Sequence, residues 1–217
     1  MENKKEEIKA VIFDVGGVLS TSDFTNKYFP DGRHKGVHEQ ISRELNIPLD
    51  VWLDAIDETY VKAIEGKLSE KEAIRTISKN VEISRYNLKK VILKAYKTHF
   101  KDNKELYNFA FSLRNSGYKI AILSDQWPIS EKALINKKYL KKFNIVVISC
   151  RVKLRKPNSK IYKLTLKKLK LPAKNCVFID NHQWNLNPAE KLGMKTILFK
   201  SNNQTINALR KIDVRIK

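Results

Sequence analysis

Four polar residues of this sequence come at or soon after the ends of short apolar runs, and their types together suit phosphoryl transfer. The four are Asp14, Ser124, Lys156 and Asp180. A carboxylate can attack a phosphoryl group only where the repulsion between the two anions is neutralised. A lysine and a divalent cation neutralise it, and a hydroxyl can hold a phosphoryl oxygen. The set therefore predicts a carboxylate nucleophile in a phosphate site.

Magnesium is the cation that these residues predict. Mg²⁺ is usually held by one or two protein carboxylates together with water and a substrate phosphate. Asp14 and Asp180 would supply that number of carboxylates. We therefore expect Mg²⁺ as the cofactor and a small phosphorylated molecule as the substrate.

The apolar runs predict the strands of a parallel sheet, because each is too short and too apolar to alternate, as suits strands covered on both faces. The predicted strands are Ala10–Phe13, Lys119–Leu123, Ile145–Ser149, Cys176–Ile179 and Thr196–Phe199. Helices are predicted at Lys104–Asn115, Ser130–Tyr139, Ser159–Leu169, Asn185–Leu192 and Asn203–Arg210. This order indicates an α/β fold, a Rossmann-like parallel sheet flanked by helices. Ligands bind such sheets outside the carboxyl ends of the strands, where the four polar residues lie.

A different pattern fills the segment between the first two predicted strands. About four amphipathic helices are expected from roughly residue 35 to residue 100, with apolar stripes such as Leu53, Ile56, Tyr60 and Ile64. Ser69 and Glu72 form a capping box at the start of one of them. The segment therefore predicts a small helical bundle, inserted beside the carboxyl edge of the sheet.

Composition limits the class of protein. A chain of 217 residues, 42% of them apolar, can bury a sizeable core. Its apolar windows are too short to span a membrane, and the amino terminus "MENKKEEIKA" mixes acids with lysines, unlike a signal peptide. We therefore expect a cytoplasmic protein in which Cys150 and Cys176 are reduced, packed thiols.

The net charge of +20 comes from 43 basic and 23 acidic residues. Such a field attracts phosphorylated metabolites, nucleic acid or anionic membrane surfaces. The lysines are spread widely, without interleaved aromatic residues or an arginine-rich block, so a solvated surface is favoured over a nucleic-acid interface. The oligomeric state has no signal in the sequence.

The segments that carry the four polar residues resemble, in order, the four motifs of the haloacid dehalogenase (HAD) superfamily. They are "FDVGGVLS", "AILSDQ", "LRKPNSKIY" and "CVFIDNHQWNLNPAEKLGM". The resemblance covers about residues 8–200 and is greatest to the small phosphatases of the soluble epoxide hydrolase amino-terminal type. It implies a core of residues 1–22 and 101–217, with a helical cap at residues 23–100.

The resemblance also implies a role for each site residue. Asp14 would be the nucleophile that forms an aspartyl-phosphate, Ser124 would hydrogen-bond the phosphoryl group, and Lys156 would hold the charges of both. Asp180 would help to hold Mg²⁺ together with Asp14, the Gly16 carbonyl and Asn181. Gly17 and Asp125 would join Ser124 and Lys156 in binding substrate.

Two positions depart from the family pattern. Phosphatases of this family usually carry a second Asp two residues after the nucleophile, which serves as general acid and then as general base, whereas this chain has Gly16. General acid–base help is typically worth ~10²–10⁴-fold. Asn181 stands where many relatives have a second Asp, and its neutral amide oxygen is a weaker ligand than a carboxylate.

Three hypotheses follow from these departures. The first is a Mg²⁺-dependent phosphatase that is slow, that acts on substrates with good leaving groups, or that borrows an acid such as Asp23. The second is a metal-free haloacid dehalogenase, for which Arg33 is a weak candidate to bind the substrate carboxylate. The third is a catalytically weak or inactive relative that binds nucleic acid or another anionic partner. His182, Trp127 and Trp184 lie beside the motifs, where they could line the pocket or simply pack.

Overall fold

The computed structural model describes residues 7–22 and 36–216. Its centre is a five-stranded sheet in the order β5-β4-β1-β6-β7, in which all neighbours run parallel. The strands are β1 (Ala10–Phe13), β4 (Lys119–Ser124), β5 (Ile145–Ile148), β6 (Cys176–Asp180) and β7 (Lys195–Leu198). All five strands predicted from the sequence are confirmed, each within one residue at either end.

Strand β1 is central because it pairs with β4 on one side and with β6 on the other. Phe13, its last residue, lies opposite Ile122 of β4 and Ile179 of β6. The chain builds outward to β5 on one side before it returns to the other side at β6, so the strand order switches at β1. This switch point is where a parallel sheet opens a crevice for ligands.

Helices cover both faces of the sheet because successive residues of a buried strand point to opposite sides. Val11 and Phe13 pack into one apolar cluster with helices α5 (Lys104–Asn115) and α11 (Asn202–Lys211). Ala10 and Ile12 pack into a second cluster with α9 (Ser159–Leu169) and α10 (Gln183–Lys191). The α/β class expected from the sequence is confirmed.

Within the described residues, four helices lie between β1 and α5, as the periodicity predicts. They are α1 (Val37–Leu45), α2 (Leu49–Ile64), α3 (Glu70–Asn80) and α4 (Arg85–His99). The capping box at the start of α3 is present, with Ser69 and Glu72 each accepting from the other's backbone N–H. We call residues 36–99 the helical insertion. The boundaries expected for a cap, residues 23–100, stay a prediction.

Two short strands flank the helical insertion and were not predicted. β2 (Ser20–Ser22) pairs antiparallel with β3 (Phe100–Asp102), so the chain enters and leaves the insertion through one two-stranded ribbon. Asn103 closes its base, because its side-chain amide donates to the Val18 carbonyl at 3.0 Å and to Asn202 Oδ1 at 2.7 Å.

The helix predicted at Ser130–Tyr139 is wrong as a single element. It is α6 (Pro128–Leu134) followed by α7 (Lys137–Leu140). Asn136 separates them because its side chain accepts from the Lys138 N–H and so caps a new helix, a local bond that competes with helix continuation. A further short helix, α8 (Ser149–Val152), follows β5.

No helix within the described ranges, 7–22 and 36–216, is long and apolar enough to cross a membrane.

Candidate active site

The four motif residues converge at the carboxyl edge of the sheet. Asp14 follows β1, Ser124 ends β4, Asp180 ends β6, and Lys156 lies in the loop between α8 and α9. Their exposures are 6%, 1%, 0% and 2% respectively, so the group is almost wholly buried. Residues separated by more than 160 positions in the chain therefore form one polar cluster in an apolar core.

A buried lysine between two carboxylates is the centre of this cluster. Lys156 Nζ lies 2.5 Å from Asp180 Oδ2 and 3.2 Å from Asp14 Oδ1. Burial alone would lower the pKa of the Lys156 ammonium, but Asp14, Asp180 and Asp125 together outweigh that effect and raise it. Lys156 is therefore a fixed positive charge, not a base.

Asp180 is held on both sides by donors. Its Oδ1 accepts from the His182 backbone N–H at 2.9 Å, and Asn185 Nδ2 lies 3.1 and 3.2 Å from the two carboxylate oxygens. With Lys156 on Oδ2, each oxygen has at least two donors. The side chain is thus locked in one orientation, with its charge directed at Lys156.

Asp14 is less well satisfied than Asp180. Burial raises the pKa of the Asp14 carboxyl from its ordinary 3.8 to about 6. The Lys156 charge and hydrogen bonds from the Ser124 hydroxyl and the Val15 amide lower this pKa, whereas the charge of Asp180 raises it. Asp14 is therefore a carboxylate near neutral pH, but one whose charge lacks full compensation.

Among the residues that the structure describes, two buried oxygens at this edge have no hydrogen-bond partner, and they fit a Mg²⁺ ion. They are Asp14 Oδ1, which the lysine approaches without hydrogen-bond geometry, and Asn181 Oδ1. Buried acceptors without donors are rare, and hard oxygen ligands are what Mg²⁺ prefers. No group of three His, Cys, Asp or Glu suited to a metal occurs in the described part of the chain. A site here would depend on two carboxylates, an amide and backbone.

The two glycines after Asp14 differ in what surrounds them. Gly17 has φ +81°, and a Cβ placed there would lie 2.4 Å from Asn181 Nδ2. Gly17 is thus required both by backbone conformation and by the close approach of Asn181. Among the described residues, a Cβ at Gly16 would meet only Gln126 Nε2, at 3.9 Å, so these residues leave room for a side chain that the sequence does not provide.

Gln126 is a site residue that the sequence reasoning missed. Its Nε2 donates to Ser124 Oγ at 3.0 Å, and its Oε1 accepts from Ser130 Oγ. Its backbone N–H donates to Ser149 Oγ at 3.0 Å, which ties the loop after β4 to the start of α8. Asn185, which fixes Asp180, was also missed. For both Gln126 and Asn185, the only signal in the sequence was a polar residue that comes soon after a motif and would have to be buried.

Asp125 has a structural contact that the sequence does not indicate. Its Oδ1 accepts from the Lys156 backbone N–H at 3.1 Å, so it holds the loop that carries the lysine. Burial raises the pKa of the Asp125 carboxyl, with partial compensation from Lys156.

A cleft of about 670 Å³ opens above this edge. Gly16, Gly17, Asp125 and Asn181 form part of its floor, whereas the Asp14 side chain lies beneath it. The other lining residues include Tyr60 and Tyr96 of the helical insertion, Thr21, Ser22 and Phe100 of the β2–β3 ribbon, Gln126 after β4, Ser130 and Leu134 of α6, and Lys200 and Ser201 after β7. The cleft therefore lies between the sheet edge and the helical insertion.

The remaining candidates have different outcomes. His182 lines the cleft, and its ring stacks on the exposed Trp184 at 4.1 Å between centroids. Trp127 is buried and packs against Tyr60, so its role is packing behind the cleft wall. Asp23 and Arg33 lie outside the described residues.

Curated relatives of this chain include two enzymes. It is 26% identical to bifunctional epoxide hydrolase 2 of Sus scrofa, over 94% of this chain and 39% of that protein. It is 25% identical to the glyceraldehyde 3-phosphate phosphatase of Methanocaldococcus jannaschii, over 88% of this chain and 84% of that one. The chain thus spans about two fifths of the length of the first relative.

Solved structures share the fold. A HAD family enzyme of Bacteroides thetaiotaomicron, in its magnesium complex, has a TM-score of 0.75 at 20% identity, covering 94% of this chain and 98% of that one. The L-2-haloacid dehalogenase of Xanthobacter autotrophicus has a TM-score of 0.58 at 18% identity, covering 97% of this chain and 84% of that one.

The family model for haloacid dehalogenase-like hydrolases matches residues 8–193, which include all four motif residues. The resemblance inferred from the motifs is thereby confirmed, and the chain belongs to the haloacid dehalogenase-like hydrolases.

Proposed function

We propose that this protein is a Mg²⁺-dependent phosphatase that acts on a small phosphorylated molecule, with Asp14 as the nucleophile. The observation that carries the proposal is the pair of unpartnered buried oxygens, Asp14 Oδ1 and Asn181 Oδ1, beside the buried ammonium of Lys156. An anion and a cation together would satisfy all three groups. A phosphate ester bound with Mg²⁺ supplies both.

The reaction would proceed by transfer to Asp14. A carboxylate oxygen of Asp14 forms a bond to phosphorus, while the bond from phosphorus to the leaving oxygen breaks and its electron pair stays on that oxygen. Water then attacks the phosphorus of the aspartyl-phosphate, which releases inorganic phosphate and regenerates the carboxylate.

Ser124 and Lys156 would stabilise the negative charge of the phosphoryl group, which the Asp14 carboxylate cannot do. The Ser124 hydroxyl, fixed by Gln126, donates to a phosphoryl oxygen, and the Lys156 ammonium offsets the charge of the carboxylate and the phosphate. Asp180 acts as the anchor that keeps the lysine in place.

Asp14, Asn181, the Gly16 carbonyl and Asp180 would hold the metal. Asn181 is better placed than Asp180 to be a direct ligand, because both Asp180 oxygens already accept hydrogen bonds. When bound, Mg²⁺ supplies positive charge that draws the anionic phosphate towards an anionic nucleophile.

The absence of an acid at Gly16 would restrict the substrates. A leaving group that departs as a stable anion needs no proton, so acyl phosphates and sugar-1-phosphates suit this site better than simple alkyl phosphates. The Methanocaldococcus relative is named for a phosphatase activity, which supports the general class of reaction.

The first test is hydrolysis of p-nitrophenyl phosphate with and without Mg²⁺. We expect Mg²⁺-dependent turnover that Asp14→Asn abolishes, whereas the matched change Asp57→Asn, at an exposed position on α2, leaves turnover unchanged. Calorimetry provides a separate measurement, since Asn181→Ala should weaken Mg²⁺ binding with no substrate present. If no phosphate ester or acyl phosphate is turned over, the proposal fails.

A metal-free dehalogenase is the second candidate, since a halide leaves without a proton and Gly16 provides none. Consumption of a 2-haloacid in the presence of a chelator, without hydrolysis of any phosphate, would favour it. The Asn181 amide oxygen, which accepts no hydrogen bond from the described residues, argues against it, because that reaction has no need of a cation.

A further inference from the structure

Two tyrosines in the lining of the cleft, which Gly16 also lines, form a chain of three side chains with a tryptophan behind them. Trp127 Nε1 donates to Tyr96 Oη at 3.2 Å, and the Tyr96 and Tyr60 hydroxyls are hydrogen-bonded to each other. Tyr60 and Tyr96 come from two helices of the helical insertion, whereas Trp127 follows β4 in the core. The chain therefore runs from the core, through the insertion, to the cleft.

The direction of this chain follows from both of its hydrogen bonds. An indole N–H can only donate, so the Tyr96 oxygen accepts from Trp127. The bond between the two tyrosines lowers the pKa of Tyr60 and raises the pKa of Tyr96, so Tyr96 donates and the Tyr60 oxygen accepts. The proton of Tyr60 is then left to point onward. Since Tyr60 lines the cleft and is only partly buried, the free end of the chain is an O–H donor presented to a ligand.

The surroundings hold Tyr60 in place. Its ring packs edge-on against Trp127 at 5.7 Å between centroids, and Trp127 and Tyr96 are themselves buried. The charges of Asp125 and Arg155 act on the Tyr60 hydroxyl in opposite senses. Burial raises the pKa of Tyr60, so the hydroxyl keeps its proton at neutral pH.

Gln126 and Asp125, two polar residues that line the cleft, are already engaged. Both ends of the Gln126 amide are used, by Ser124 and by Ser130. Asp125 accepts from the Lys156 backbone. A donor is what the developing charge on a leaving oxygen needs, and Gly16 does not supply one.

We propose that Tyr60 donates a hydrogen bond to the leaving-group oxygen of the substrate and that Tyr96 and Trp127 position it. This inference rests on the proposed phosphatase function. As Asp14 bonds to phosphorus, the electron pair of the broken bond stays on the leaving oxygen, which Tyr60 stabilises by its O–H. That oxygen then takes a proton from water in the cleft, so Tyr60 itself remains protonated.

The test is a series of phosphate monoesters of graded leaving-group pKa, namely p-nitrophenyl, p-chlorophenyl, phenyl and glycerol phosphate. For Tyr60→Phe we expect kcat/KM to fall less than about threefold with p-nitrophenyl phosphate and about 10- to 30-fold with phenyl and glycerol phosphate, because a hydrogen bond to a charged oxygen is worth more as that charge grows. Tyr96→Phe should shift the same series in the same direction by a smaller factor.

Tyr86→Phe is the matched control, since Tyr86 is 76% exposed on the same helix as Tyr96. It should leave all four rates unchanged, and thermal unfolding should confirm that each variant folds. An equal loss on all four substrates, or no loss, overturns the role of Tyr60 while the phosphatase assignment stands. If instead the proposed phosphatase function is wrong, the wild type itself will turn over none of the four substrates.

Discussion

The two walls of the cleft solve the problem of burying polar groups in opposite ways. On the sheet side, which we call the sheet wall, Asp14, Lys156 and Asp180 are buried charges beneath the cleft, and Asp14 Oδ1 and Asn181 Oδ1 accept no hydrogen bond from the described residues. The helical wall, Tyr60 and Tyr96 with Trp127 behind them, is neutral, and its donors and acceptors follow one another in a chain. Unsatisfied charge costs stability, whereas a satisfied neutral chain does not. Strain is therefore concentrated where the chemistry is proposed to occur.

The largest effect should come from removing the charge at the centre of the sheet wall. Lys156→Met leaves Asp14 and Asp180 buried side by side without a cation, so we expect a loss of about 3–5 kcal/mol in the free energy of unfolding. Lys160→Met, at an exposed position in the following helix, is the control and should change the free energy by less than about 0.5 kcal/mol. Urea unfolding measures both. If Lys156→Met and Lys160→Met change the free energy of unfolding equally, the sheet wall is not under electrostatic strain.

The second effect concerns Asp14 and pH. The pKa of Asp14 is about 6 in the folded protein and near 3.8 when unfolded, so between these values the native state binds more protons. Stability from this group is thus present below about pH 4 and is lost as pH rises through 6. In metal-free buffer, Asp14→Asn should be as stable as wild type at pH 4 and about 2 kcal/mol more stable at pH 7.5.

Thermal unfolding at the two pH values measures this difference. Because the other carboxylates are common to both proteins, their titration cancels in the comparison. A variant that is less stable than wild type at pH 7.5 would mean that Lys156 compensates Asp14 fully.

The third effect is a gain of function at the sheet wall. Gly16→Asp places a carboxyl where a Cβ meets only Gln126 Nε2, at 3.9 Å. We expect the rate with glycerol phosphate to rise about tenfold, since a general acid helps most with a poor leaving group. Gly16→Ala tests the space alone and should leave the rate unchanged. A rise with p-nitrophenyl phosphate as large as that with glycerol phosphate would contradict the acid role.

The smallest effect should be confined to the helical insertion. Ser69→Ala removes the capping box of α3 and should cost about 1 kcal/mol, seen as a fall of roughly 2–4 °C in Tm. Lys71→Ala, at an exposed position in the first turn of the same helix, is the control. Mg²⁺ affinity and p-nitrophenyl phosphate turnover should not change, because α3 contributes no residue to the cleft lining. A change in Mg²⁺ affinity would show that the two walls are coupled.

There is a physical reason why the sequence predicts both the sheet and the place where the motif residues come together. Strands buried on both faces are continuous apolar runs, which are visible without a structure, and parallel strands bring their carboxyl ends to one edge. Asp14, Ser124 and Asp180 therefore had to be neighbours.

What the sequence does not reveal depends on tertiary contacts. The strands β2 and β3 are "STS" and "FKD", three residues each and largely polar, so only their pairing makes them strands. The contacts of Gln126 with Ser124 and of Tyr96 with Trp127 join residues whose types are common and whose spacing is uninformative. No local pattern predicts a hydrogen bond of that kind.

The ribbon of β2 and β3 also bears on how such a protein can diversify. Paired strands lie ~5 Å apart, so the chain leaves the core and returns to it at nearly the same point. Residues between the two strands can therefore be lengthened, shortened or exchanged while the sheet and Asp14 stay where they are. Under the proposed function, reaction and selectivity would be carried by stretches of the gene that can vary separately, and a new substrate would require no new nucleophile.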